Sequence, residues 1–147
     1  MLWLEPALAG IAILVADQAG KHFVLTRPRY AIARAPRSFF PLRCVVNRRY
    51  GRFPAHIRLL IAFCFVMGVV LALFALAQEP LRSNVPGAVG IGGALGGIAS
   101  NFIDLLRRGG IVDFIAIGPL PVCNIADLAI YGGFALAALS IALWIGV

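Results

Sequence analysis

Acidic side chains are scarce in this chain of 147 residues: four Asp and two Glu stand against twelve Arg and a single Lys, a formal charge of +7. Each carboxylate therefore needs a reason for its position. Cysteine is scarce too. Cys44, Cys64 and Cys123 are odd in number and lack CxxC spacing, which argues against a disulfide framework or a zinc site. His22 and His56 are isolated, with no second ligand near either, so no metal or other cofactor is expected. No Lys or Arg precedes the first apolar run, which is also too long for the apolar region of a secretory leader, so the first helix is expected to stay. Linkers and low-complexity tracts are missing, and one domain over residues 1–147 is expected.

What the chain has in abundance is apolar sequence, 61% of all residues, against roughly 45–50% in soluble domains. Four stretches approach the ~20 residues needed to cross a bilayer as a helix: Leu2–Leu25, Leu59–Ala77, Val85–Leu106 and Ile125–Val147. The fold class expected is an all-α membrane protein with four transmembrane helices. The second stretch carries no charge. The others hold Asp, Lys, Asn or Gln, so their polar faces should turn inward.

Nine of the Arg fall between Arg27 and Arg58, interspersed with Pro28, Pro36, Pro41 and Pro54. A collar of this kind suits anionic lipid headgroups, each charge adding about 1 kcal/mol near the surface. Nucleic acid is the competing partner for a basic run, but this one is short and tethered between two spans, so none is expected. Ser38 to Asn47 is β-branched and aromatic at its centre, which fits a short strand, and Phe53 to Leu60 fits an interfacial approach to the second span. By itself Asn47 reads as a turn residue.

Polar residues inside the spans are the sharper signal. Asp17 and Lys21 are four apart on one helix face, a self-neutralising pair with the acid in the favourable first position. The third span carries Gly92 to Gly96 and Gly93 to Gly97, both of GxxxG spacing, which lets helices approach closely in lipid. Asn101 and Asp104 follow on a shared face. The helix should end near Gly109-Gly110, with Arg107 and Arg108 suiting its C-terminus.

Asp113, within the β-branched run Ile111 to Ile117, and Asp127 lie fourteen positions apart at one predicted membrane boundary. An ionisable group in a bilayer is expensive, about 2.5–3.5 kcal/mol on insertion scales. A pair of them suggests acid–base chemistry, that of an intramembrane aspartic peptidase. Plainer readings exist for each. Asp113 could be a solvated loop acid paired with Arg107 or Arg108. Asn124 is a good helix N-cap, and Asp127 suits the first turn that follows.

The blocks Asp17-Gln18-Ala19-Gly20-Lys21, Gly96 to Asp104, Val112-Asp113-Phe114 and Asn124-Ile125-Ala126-Asp127, with Asn47 between the first two, resemble in order those of the bacterial lipoprotein signal peptidases, the signal peptidase II family. The resemblance spans most of the chain. It implies four transmembrane helices with a small extracytoplasmic β-sheet and interfacial loop, in the bacterial inner membrane, with the active site toward the outer face. The activity implied is an aspartic endopeptidase acting on diacylglyceryl-modified prolipoproteins just before the lipidated cysteine, inhibited by cyclic peptides. The catalytic pair would be Asp113 and Asp127, with Asp17, Lys21, Asn47, Asn101, Asp104 and Asn124 supporting them or binding substrate. Four departures stand out: Leu105 replaces an Arg, whose ion pair could move to Arg107; Arg48 and Arg49 replace small residues; Cys123 replaces a Phe; and the Asp113–Asp127 connection is short. They fit a divergent paralogue.

Two non-enzymatic readings compete: a homologue that binds lipidated peptides without turnover, and a small transporter, since intramembrane acids also mark ion pathways. Topology carries its own conflict. Loops one and three hold eleven of the twelve Arg, which the positive-inside rule assigns to the cytoplasm, whereas the resemblance assigns them to the outer face. The expected outcome follows the resemblance: a membrane-impermeant thiol reagent reaches Cys44 from outside intact cells. Labelling only after permeabilisation reverses the topology.

Overall fold

The computed structural model describes residues 3–27, 42–48, 54–78, 81 and 84–146. Most of the Arg- and Pro-rich first loop, including Arg49, lies outside the described residues, and with it most of the expected basic collar. In chain order the elements are α1 (Leu4–Leu25), β1 (Leu42–Asn47), α2 (Ala55–Ala77), α3 (Val85–Arg108), β2 (Ile111–Ile115) and α4 (Ile125–Trp144). All four helices are long and apolar enough to cross a membrane. Residues 55–60 form the opening turns of α2.

The central helix is α3, packed against α1 on one side and α4 on the other. Its small residues make this possible by dividing between two faces. A Cβ at Gly92 would meet the Pro6 carbonyl and one at Gly96 the Gly10 carbonyl, both on α1. Gly90 and Gly97 instead face the carbonyls of Gly133 and Ala126 on α4. The Gly92–Gly96 spacing is thus one interface, whereas Gly93 belongs to no such contact: its nearest neighbour is the Ile13 side chain at 3.8 Å. The α4 interface uses positions seven apart, two full turns.

Helix α2 is the outlying element. Its large side chains are mostly exposed, among them Leu59, Phe63, Val70 and Phe74, as expected of a helix apolar on all sides in lipid. It touches the bundle through Ala72, in the cluster of Leu81, Ala88, Ile91 and Ala137, and through Phe65 stacked on Phe102 at 4.4 Å between ring centroids.

Past the end of α3, Gly109 adopts a left-handed conformation, φ 64°, and turns the chain into β2. The strand pairs antiparallel with β1 (Val45 opposite Asp113, Asn47 opposite Ile111), with an irregularity between Leu42 and Val45. The two-stranded sheet sits on the last turns of α1, where Val24, Val112 and Phe114 form a buried cluster and the Phe114 ring lies over Gly20. Strand alternation then turns Asp113 to the opposite face from Val112 and Phe114.

Replacing Gly96 by leucine should push α1 off α3. The expected destabilisation is at least the ~1–3 kcal/mol typical of overpacked cores. The Gly68→Ala control, where nothing lies within 4 Å of the added Cβ, should be neutral or slightly stabilising. Thermal unfolding in detergent measures both.

Candidate active site

The site is assembled where β2, α3 and the start of α4 meet. Backbone bonds from Phe114 N and Ile115 N to the Cys123 carbonyl, both 2.8 Å, and from Cys123 N to the Ile115 carbonyl, 2.9 Å, fold the segment after β2 back on itself. That return brings Asn124 beside Asp113 despite the turn at Gly118-Pro119. It also explains how so short a connection can join the two acids.

Asn124 is the joint. Its Oδ1 accepts from Asp127 N at 2.8 Å and its own backbone N donates to Asp127 Oδ2 at 3.3 Å, a reciprocal capping box at the start of α4. Its Nδ2 donates to Asp113 Oδ1 at 2.8 Å and reaches Asn101 Oδ1 at 3.2 Å. Asn101 Nδ2 donates to Asp127 Oδ1 at 2.8 Å. The capping role anticipated for Asn124 and the joining of two carboxylates are the same geometry.

Asp113 is 8% exposed, not the solvated loop acid its position in a connecting segment allowed. Burial, and after it the charge on Asp127, pushes its pKa up to about 6, opposed by the hydrogen bond from Asn124. Burial followed by the charges of Asp127 and Asp113 also raises the Cys123 thiol.

Behind the amides lies an ionic cluster whose centre, Asp17, Lys21 and Asp104, is wholly buried. Lys21 Nζ contacts Asp17 Oδ2 at 2.5 Å, Asp104 Oδ2 at 2.9 Å and Asn101 Oδ1 at 2.9 Å. Asp104 also pairs with Arg108 and accepts from Val112 N at 3.1 Å. Asp17 accepts from Ser100 Oγ at 2.7 Å and from Ala126 N at 3.0 Å, so it binds α3 and α4 at once. Gln18 Nε2 donates to Ser100 Oγ at 2.9 Å and to Asp104 Oδ1 at 3.1 Å. The partner of Asp104 is Arg108, not Arg107. A residue four positions on stands over Asp104, whereas Arg107 is exposed on another face.

Of the residues singled out from the sequence, Asp17, Lys21, Asn101, Asp104, Asp113, Asn124 and Asp127 thus form one continuous polar network. Asn47 stands at the exposed end of β1 opposite Ile111. Gln18, Ser100 and Arg108 were missed as members. Ser100 and Arg108 each lie four residues from Asp104, a spacing that could have identified them.

Beside the network a cleft of about 340 Å³ runs between α2 and α3, lined by Ile61, Cys64, Phe65, Leu105 and Ile130, with Asn101 as its polar wall. A larger cavity of about 450 Å³ lies between α1 and α3 against Trp3, Gly10 and Leu95, and no titratable group lines it.

Residues 9–143 match the family described as signal peptidase (SPase) II. A lipoprotein signal peptidase of Dehalococcoides mccartyi is 37% identical over 78% of this chain and 74% of its own length. One of Moorella thermoacetica is 30% identical over 86% of this chain and 85% of its own length. The fold is similar to a solved bacterial membrane enzyme at TM-score 0.78 and 20% identity, covering 97% of this chain and 94% of that one.

The raised Asp113 pKa has a stability consequence of definite sign. The folded state holds the proton more tightly than the unfolded chain, whose pKa is near 3.8, so stability falls as pH rises from there through about 6. Asp113→Asn should therefore raise the melting temperature at pH 7.5 and do so less, or not at all, at pH 4. An equal effect at both pH values would remove the charge argument.

Proposed function

The chain belongs to the signal peptidase II family, and from that membership we propose that it removes signal peptides from diacylglyceryl-modified prolipoproteins, cutting just before the lipidated cysteine. The chemistry proposed is hydrolysis by a water held between Asp113 and Asp127. The observation carrying it is the meeting of both carboxylates around Asn124, beside an apolar cleft large enough for a peptide segment.

Two adjacent carboxylates resist ionising together, so one keeps a proton. Asp113 is the proton holder: it is buried, receives one amide donor, and its pKa is pushed up to about 6. Asp127 is the base. Two N–H groups face it, from Asn101 and Asn124, at the first turn of α4. Asp127 takes a proton as the water oxygen bonds to the scissile carbonyl carbon, and Asp113 gives its proton to the carbonyl oxygen. When the C–N bond breaks, the cysteine amine leaves with the proton that Asp127 collected, and the hydroxyl proton returns to Asp113.

In this reading the apolar cleft takes residues near the scissile bond, membrane lipid surrounds α2, and cyclic-peptide inhibitors of the family would compete for the dyad. The site would face outward from the bacterial inner membrane.

With a diacylated prolipoprotein in detergent micelles, Asp113→Asn and Asp127→Asn should each lower kcat by at least about 10²-fold, within the range for lost acid–base catalysis, while the protein stays folded. The wild-type kcat/KM should decline as pH rises through about 6, where Asp113 loses its proton. Near wild-type turnover by either variant sinks the dyad. Affinity without cleavage by the wild type would make the chain a binding protein, and ion flux in liposomes without cleavage a transporter.

A further inference from the structure

We infer that Lys21 is a positioning residue for the dyad, its third N–H fixing the Asn101 carboxamide with nitrogen toward Asp127. The inference rests on the reading of Asp113 and Asp127 as the acid–base pair and deepens it.

A carboxamide is nearly symmetric in shape. Its oxygen and nitrogen exchange places by a half-turn, and only the partners decide which orientation is held. Asn101 lies between an ammonium and a carboxylate. Lys21 offers three N–H donors and no acceptor, and all three are engaged: Asp17 Oδ2 at 2.5 Å, Asp104 Oδ2 at 2.9 Å and Asn101 Oδ1 at 2.9 Å. The Asn101 oxygen must face Lys21, so its nitrogen faces Asp127 Oδ1 at 2.8 Å. The flipped amide would set N–H against N–H on one side and oxygen against oxygen on the other.

The Asn101 oxygen also meets Asn124, whose orientation the Asp127 N–H and the Val112 carbonyl, 3.3 Å from Nδ2, fix independently. With the Asn101 oxygen fixed, Asn124 Nδ2 has an acceptor at 3.2 Å and points the same amine at Asp113 Oδ1, 2.8 Å away. Its own oxygen is left to accept from Asp127 N. Donor-to-acceptor order therefore runs from a fully buried lysine on α1 through Asn101 to Asp127. Lys21 touches neither acid, and it acts through Asn101.

A purely structural Lys21 would only hold α1 to α3, and the two roles separate experimentally. The pair D17N and K21M removes one buried charge of each sign and leaves Asp104 with Arg108. Compared per folded molecule on a diacylated prolipoprotein, this double variant should lose about 10- to 100-fold in kcat with KM within about twofold, as expected when reacting groups are misaligned rather than substrate binding lost. A kcat near wild type overturns the inference, whatever the melting temperature. Should the double variant fail to fold, N101D decides. It keeps an oxygen for Lys21 and so preserves the α1–α3 link, but presents an acceptor to Asp127. The expected result is a kcat at least about tenfold lower per folded molecule, and wild-type kcat overturns the inference. Asp113→Asn runs alongside: if it still cleaves, or the wild type does not, the dyad reading has failed, whereas an inactive Asp113→Asn beside an unimpaired Lys21 variant removes the positioning role alone.

Discussion

One buried ammonium organises this molecule. Lys21 has no exposed surface, and neither have Asp17 and Asp104 on either side of it. In a low-dielectric interior an ion without a partner is strongly unfavourable, and breaking such a cluster typically costs about 3–5 kcal/mol. The helices are therefore held to one relative register: α1 must place Lys21 level with Asp104 of α3, and Asp17 must stay within reach of Ala126 at the start of α4. The hydrogen bond from Val112 N to Asp104 extends the same constraint to β2. Charges that would oppose membrane insertion one by one instead set how the parts of the bundle meet.

That cluster can form only because the backbones come close. Gly92 and Gly96 bring α1 onto α3, and Gly90 and Gly97 bring α4 onto it from the other side. In lipid no hydrophobic force drives helices together, so close packing and polar contacts carry the association. The two devices need each other. Without the glycines Lys21 and Asp104 would be separated, and without the ion pairs the glycine faces would have less to fix their register. The outlying α2 takes part in neither, which leaves an apolar cleft open along its side next to Asn101.

Much of this could be read from the chain, and the parts that could not share one cause. Helix extents, the stop at Gly109, the cap at Asn124 and the contact of Asp17 with Lys21 are local, governed by residues within a turn or two of each other. The partition of four glycines between two interfaces depends on which way each face of α3 turns, and spacing alone gave Gly93 a role it does not have. Arg107, two positions from Leu105, is nearer in sequence than Arg108, but only Arg108, four positions on, stands on the face of Asp104. Ser100 hydrogen-bonds Asp17 across 83 positions of sequence. Gln18 sat in plain view in its block, but its partners Ser100 and Asp104 lie on another helix.

Asn124 shows why rival readings of one residue need not compete. Helix capping requires an acceptor for the Asp127 N–H and a short acid three positions on. Joining two carboxylates requires a donor, and a carboxamide carries both functions at opposite ends. The cap uses the oxygen and leaves the amine free to reach Asp113. Because the amine end is then oriented by the same bond that starts the helix, the second acid is placed as rigidly as the helix itself. The fold-back through Cys123 completes this, since it delivers β2 to the mouth of α4 at the one point where an acid on the strand and an acid in the first turn can share a neighbour.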